Sequence, residues 1–192
     1  QRAGVHEIIV VDGGSADRTV DRAVQTGARV VSGDRGRGRQ LAEGAARSTG
    51  EILWFVHADT LAPADGCERI IEALRRPRCV GGHFGIRFSG RSLPARFLTW
   101  LYRHLRLIGL RYGDSAFFVD RIVYERVGGF RPLPIFEDLD LLRRLRREGR
   151  FVRAPSTVVT SSRRFEDRSF ILVFARWVVM QLLYWIGMSP ER

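Results

Sequence analysis

Only two cysteines, Cys67 and Cys79, occur among the 192 residues. That excludes a disulfide framework and a cysteine-rich zinc site, and both thiols read as reduced, in a cytoplasmic compartment. Lysine is absent, so the formal net charge of +11 is carried by arginine, with 21 acidic residues against 32 basic ones. No apolar run reaches the ~20 residues of a membrane-spanning helix. The nearest, "FILVFARWVVMQLLYWIG", is interrupted by Arg176 and Gln181. The usual cofactor signatures are missing too. In "GDRGRGRQL" the third glycine of a dinucleotide fingerprint falls on Leu41, and no Gly-Lys-Ser/Thr follows. There is no secretory signal after Gln1, no internal repeat and no low-complexity linker.

What is present is an ordinary globular composition, 45% hydrophobic, at a length that suits one α/β domain. The positive excess favours anionic partners: nucleotides, nucleic acid or the acidic face of a membrane. Ile8 to Val11 is a short apolar run of the kind buried on both faces of a sheet. "SADRTVDRAVQTG" follows as a helix, with Ser15 a good N-cap and Gly27 its stop. "ARVVSG" reads as strand, "GRQLAEGAARSTG" as helix, Ile52 to Val56 as strand and "PADGCERIIEALRRP" as helix. Strand and helix alternate, which predicts a mostly parallel sheet flanked by helices. Further on come a strand at "GGHFGIRF", a helix around Phe97 to Leu107, a strand at "SAFFVDR" and a helix at "EDLDLLRRLRREG". Two short strands near "RFVRA" and "TVVTS" precede an apolar helix from Phe170 to Ile186. Residues 1–80 read as a nucleotide-binding half, 81–165 as an acceptor and catalytic half, and 166–192 as a C-terminal amphipathic helix.

Ligands of open parallel sheets bind beyond the carboxyl ends of the strands. Asp12 closes the first strand in "VVDGGSADRT", where Gly13 and Gly14 permit a sharp turn into a helix N-terminus. Its plainer role is to cap that turn. The "RGRGR" loop, with Arg35, Arg37 and Arg39, suits a phosphate-bearing ligand or a solvated basic turn. In "FVHADT" the apolar strand ends on His57 and Asp59. A carboxylate there suits a hard divalent cation that also takes phosphate oxygens, with His57 a nitrogen donor better tolerated by manganese than by magnesium. The plainer reading is a strand-end acid capping the next helix. Glu137 and Asp138 open a helix after the Gly- and Pro-rich "GGFRPLPIFED". The helix macrodipole alone favours acids there, yet such a loop also suits a base that takes a proton from a hydroxyl.

Taken in order, "VVDGGSADRT", "FVHADT", "GDSAFFVDR" and "VGGFRPLPIFEDLDLLRRLRREG" resemble the motifs of a family 2 glycosyltransferase of the GT-A type, over nearly the whole chain. "RGRGRQLAEGA", "YGDSAFFV" and "SSRRFE" are similar to a bacterial subgroup of radical-SAM/selenodomain-associated transferases. The resemblance implies a GT-A fold and inverting transfer of a sugar from a nucleoside-diphosphate sugar to an acceptor hydroxyl, with Mn2+ or Mg2+. It implies that Asp12 and Gly13 contact the nucleotide, that Asp17 shapes the turn and that Arg39 lies near the diphosphate. Asp59, with His57, would hold the metal. Asp138, beside Glu137, would be the general base. Asp114 would face the acceptor, and Arg163 and Arg164 the diphosphate or the acceptor. Two features depart from the family. His57-Ala58-Asp59 stands where Asp-x-Asp is frequent, and the usual first strand is expected upstream of Gln1.

The alternatives are a nucleotidyltransferase and a non-catalytic anion- or nucleic-acid-binding module. The first lacks a second metal carboxylate and a lysine-bearing Gly-rich loop; the second leaves three acids unexplained beside a repelled phosphate backbone. No specific nucleic acid is therefore expected as a partner. "ARFLTWLYRHLRLIGLR" and the C-terminal helix suggest basic amphipathic surfaces for peripheral attachment to the inner face of a membrane, a lipid-linked acceptor, or a homodimer contact.

Overall fold

The computed structural model describes residues 4–90, 92–105, 116–163 and 170–185. The first strand, β1 (Ile9–Asp12), pairs in parallel with β2 (Arg29–Ser32), Asp12 lying opposite Ser32. Between them runs α1 (Thr19–Gln25), and Gly27, at φ 80°, ends it as the sequence predicts. Its N-cap is Arg18 rather than Ser15, because the Ser15 hydroxyl is engaged by Asp12. Helix α2 (Arg37–Arg47) then leads into β3 (Ile52–Trp54). The Glu7 carboxylate accepts from the backbone N–H groups of Thr49 and Gly50, tying the start of β1 to the entry of β3.

The remaining strands are β4 (Thr60–Leu61), β5 (Cys79–Phe88), β6 (Phe118–Asp120) and β7 (Arg150–Thr160). They join β3 in a five-stranded sheet of order β3-β6-β5-β7-β4. This sheet is mixed, which corrects the expectation of mostly parallel pairing. Strands β5 and β7 are parallel, but β6 is inserted antiparallel between β3 and β5, and β4 caps the β7 edge antiparallel. Strands β3, β5 and β7 still share one direction, so the expected carboxyl rim exists. The two short strands expected near residues 150 and 160 are one long strand. Its register against β5 shifts between His83 and Gly85, opposite the segment holding the exposed Pro155. A bulge accommodates a residue that cannot donate to the ladder.

Side chains alternate across the sheet and build a core on each face. On one face Phe84, Phe118 and Val158 meet α3 (Gly66–Leu74) and α4 (Leu93–Leu105), with Phe170, Phe174 and Trp177 of α7 (Phe170–Trp185) packed against them. On the other, Leu53, Phe117, Val119 and Phe151 meet Ala45 of α2, Tyr124 of α5 (Arg121–Arg126), and Leu141, Leu142 and Leu145 of α6 (Glu137–Glu148). The result is an α/β/α sandwich. Helix α7 exposes Ile171, Leu172, Val179 and Leu182, so its outward face is largely apolar as well.

Candidate functional site

Topology sets the rim. Helix α1 leads into β2, α2 into β3 and α6 into β7, so each helix runs back against the strand it precedes. The N-terminal turns of all three helices therefore lie beyond the carboxyl ends of the strands. Asp12 closes β1 and Gly13 follows it, Asp17 precedes α1, Arg39 lies in the first turn of α2, His57 and Asp59 lie between β3 and β4, Glu137 and Asp138 open α6, and Arg163 follows β7. Asp114 and Arg164 lie outside the described residues.

At the first corner, the Asp12 carboxylate is turned into its own loop. It accepts from Gly14 N at 3.0 Å, from Ser15 N at 3.1 Å and from the Ser15 hydroxyl at 2.5 Å. The Ser15 hydroxyl, then its N–H, holds the Asp12 carboxyl below the usual carboxylate range. Asp17 likewise accepts from the Thr19 hydroxyl and N–H, which lower its pKa. Both acids thus shape the turn, and Asp12 remains charged at neutral pH.

Arg35 and Arg37 do what sequence reasoning did not assign. Arg35 Nε donates to the Gly13 carbonyl at 3.0 Å and its Nη2 to Gly14 at 3.2 Å, clamping the turn beside Asp12. Two residues on, Arg37 Nε lies 2.9 Å from Glu137 Oε1, and its Nη2 lies 3.4 Å from Asp138 Oδ2. One guanidinium fork spans both acids. A cationic side chain in the "RGRGR" loop was the available signal; its partner, far along the chain, was not. Arg39 is 59% exposed and faces Asp34 at 3.7 Å, a surface pair of little energetic weight.

Glu137 and Asp138 are buried, although they open α6. Phe136 adopts a left-handed conformation at the helix cap, φ 61°, and Asp138 Oδ1 accepts from Leu139 N at 2.8 Å. Gly38 lets α2 approach this corner closely: a Cβ there would lie 3.1 Å from the Glu137 stem and 3.2 Å from the Arg131 carbonyl. Arg144 braces the preceding loop by donating to the carbonyls of Val127 and Gly129 while pairing with Asp140.

The third corner follows β3. Thr60 N donates to the His57 carbonyl at 3.0 Å, closing a turn that leaves the Asp59 carboxylate exposed. The Asp59 carbonyl accepts from Ser161 N at 3.0 Å, and Ser161 Oγ accepts from Arg163 Nε at 3.2 Å. Asp59 and Arg163 are thereby joined through the end of β7. Among the described residues no group of three or more His, Cys, Asp or Glu forms a ready-made metal cage. An exposed carboxylate in the turn between β3 and β4, two residues after His57, nonetheless fits a hard cation that keeps waters and takes most of its oxygens from a ligand.

The model of the family described as Glycosyl transferase family 2 matches residues 1–131, more than half the chain. The chain belongs to glycosyl transferase family 2. Among curated relatives of this family 2 chain, the glucosyl-3-phosphoglycerate synthase of Mycolicibacterium paratuberculosis is 36% identical over 100 residues, covering 40% of the chain and 30% of that protein. The enzyme of the same name from Mycolicibacterium smegmatis is 35% identical over 101 residues, covering 41% and 33%. The matched stretch thus spans about a third of these relatives' length. Among solved structures, glucosyl-3-phosphoglycerate synthase from Mycobacterium tuberculosis in complex with Mn2+ and UDP-glucose aligns at TM-score 0.63 and 25% identity, over 96% of this chain and 70% of that one. The fold is the α/β fold of those structures, as the sequence resemblance implied.

Proposed function

We propose that this chain transfers a sugar, with inversion, from a nucleoside-diphosphate sugar to an acceptor hydroxyl. The observation that carries the reading is the family 2 match, together with the loop of residues 35–38 that joins the Asp12 turn to Glu137 and Asp138. UDP-glucose is the first donor to try, because the similar mycobacterial enzyme is solved with UDP-glucose and Mn2+. The Asp12 turn, clamped by Arg35, would receive the nucleotide. Asp59, with His57, would hold Mn2+ or Mg2+, which when bound neutralises charge on a departing diphosphate. Arg39 and Arg163 would add positive charge on the diphosphate side, and Arg164 and Asp114 would serve the diphosphate or acceptor. Asp138 would take the proton of the acceptor hydroxyl as its oxygen bonds to the anomeric carbon and the sugar–diphosphate bond breaks. Glu137 would stand behind it.

Calorimetric titration with UDP and GDP, with and without Mn2+, followed by a donor screen, tests this. Metal-dependent nucleotide binding and sugar release to an acceptor are expected. Pyrophosphate formation from a nucleoside triphosphate would point to a nucleotidyltransferase, and salt-sensitive RNA binding alone to a non-catalytic module.

A finer part of the proposal concerns the acceptor. Helices α4 and α7 touch through Phe97, whose ring meets Phe170 and Phe174 edge-on. Together they expose Leu93, Trp100, Ile171, Leu172, Val179 and Leu182. Arg96, Arg103 and Arg176 are exposed among them, and residues 73–113 hold nine arginines and no acid. Among the described residues no helix is long and apolar enough to cross a membrane. An apolar stripe flanked by cations supports peripheral contact with an anionic bilayer and a lipid-linked acceptor. Flotation with phosphatidylglycerol vesicles, against phosphatidylcholine alone, is the check. Salt-sensitive binding to the anionic vesicles is expected. A homodimer through the same face would show instead as a doubled mass in sedimentation, without vesicle binding.

A further inference from the structure

We infer that Arg37 is a positioning residue for the general base, acting through Asp138; the inference rests on the glycosyl-transfer reading above. The side chains of Glu137 and Asp138 are 4% and 9% exposed, while that of Arg37 is 43% exposed. A nearby cation compensates carboxylates withdrawn from water. The planar guanidinium faces both from one side, its Nε 2.9 Å from Glu137 Oε1 and its Nη2 donating to Asp138 Oδ2 at 3.4 Å. Its backbone is held where this is possible. Gly36, at φ 138°, turns the chain into α2, and Gly38 leaves room for the Glu137 stem. The same short loop carries Arg35, which grips the carbonyls of Gly13 and Gly14. One segment, residues 35–38, therefore connects the turn that would receive the nucleotide with the carboxylate that would take the proton. Asp138 is kept aimed by this contact on one side and by the N–H of Leu139 on the other.

The test compares wild type, Arg37→Gln and Arg37→Lys in donor kinetics, each also in the Asp138→Asn background. A misaimed reacting group costs on the order of a hundredfold in rate. Arg37→Gln is expected to lower kcat by about that factor while the donor KM stays within roughly threefold. Arg37→Lys, which keeps a cation but not the fork, should recover part of the loss. In the Asp138→Asn background Arg37→Gln should change residual turnover by less than about twofold, since a residue acting through another has nothing left to act on. Wild-type kcat in Arg37→Gln, a loss confined to donor KM, or an equal loss in both backgrounds would each overturn the inference. A wild-type protein that transfers no sugar fails the functional reading instead. In that case a double-mutant cycle on unfolding reads the Arg37–Asp138 coupling directly, and additive losses would count against it.

Discussion

The backbone N–H of Ser161 donates to the carbonyl of Asp59 at 3.0 Å. This bond joins the turn after β3 to the end of β7, and Thr60 reinforces it by pairing with Thr160 through side chain and strand register alike. Asp59 is thus fixed by its main chain, while its carboxylate stays exposed at the rim.

Because the main-chain bond holds it and its carboxylate accepts only a long bond, 3.4 Å, from the Thr60 hydroxyl, Asp59→Ala should leave stability within about 0.5 kcal/mol of wild type. The same change should abolish the metal-dependent part of nucleotide binding. Calorimetry with UDP in the presence and absence of Mn2+ measures both arms. Unchanged metal dependence would move the cation site elsewhere on the rim.

Asp12 yields a prediction in pH. Its folded value lies below the usual carboxylate range, chiefly through the Ser15 hydroxyl. The stabilisation it gives the turn is present above the unfolded value of about 3.9 and is lost as pH falls through the lower, folded one. Ser15→Ala should move the midpoint upward toward the ordinary value. The amide shifts of Gly14 and Ser15, followed by NMR through an acid titration, report it. An unmoved midpoint would mean that the Ser15 hydroxyl does not hold the charge.

Much of the first half was legible because its signals are local. Apolar runs at Ile8 to Val11 and Ile52 to Val56, and the glycine at position 27, each mark an element by composition alone. Strand direction has no local signature. "AFFVD" reads as a strand whether it runs with β5 or against it, so the antiparallel insertion of β6 was out of reach. Short β4 and α5 carry too few residues to show a period. Pro155 made one bulged strand look like two. At the site, Asp12 and Asp59 stood out as polar residues ending apolar runs, and Glu137 and Asp138 as acids opening a helix after a Gly- and Pro-rich loop. The partners of Arg35 and Arg37 did not, since Arg35 meets backbone carbonyls of the β1 turn and Arg37 meets its acids only where the start of α2 comes up against the start of α6.

Tyr124 should report on the second core. Its hydroxyl accepts from the buried N–H of Phe130 at 3.2 Å, and burial raises its pKa. Tyr124→Phe strands that donor and should cost about 1–2 kcal/mol at neutral pH. The tyrosine's own contribution is present below the unfolded value of about 10 and is lost as pH rises through the higher, folded value. Wild type should therefore lose more stability than Tyr124→Phe above that pH in urea unfolding. Parallel pH curves would contradict this.

Gly82 sits where β5 is squeezed between its neighbours, opposite Phe118 on β6 and Val152 on β7. A Cβ there would collide with the Phe118 ring and with the Val152 carbonyl. The carbonyl belongs to the ladder and cannot move aside, so Gly82→Ala should destabilise by about 3 kcal/mol or more. Gly128, whose Cβ would meet nothing, is the contrast in space, although its φ of 80° still disfavours a side chain. Thermal unfolding of Gly82→Ala and Gly128→Ala should rank the first well below the second.

Asp138→Asn separates the base from the scaffold. The amide keeps the shape, and its carbonyl oxygen still accepts from Leu139 N, so α6 should start where it does now. What disappears is the charge facing Arg37 and the ability to take a proton. Nucleotide binding at the Asp12 turn should persist, because Arg35 and Ser15, not Asp138, hold that turn. Transfer should fall by roughly a hundredfold or more, within the ~10²–10⁴ range of general-base loss. Turnover assayed beside UDP affinity distinguishes the outcomes. Wild-type turnover with intact binding would take the proton-accepting role from Asp138, and joint loss of both would mean that the buried acid corner supports the whole rim.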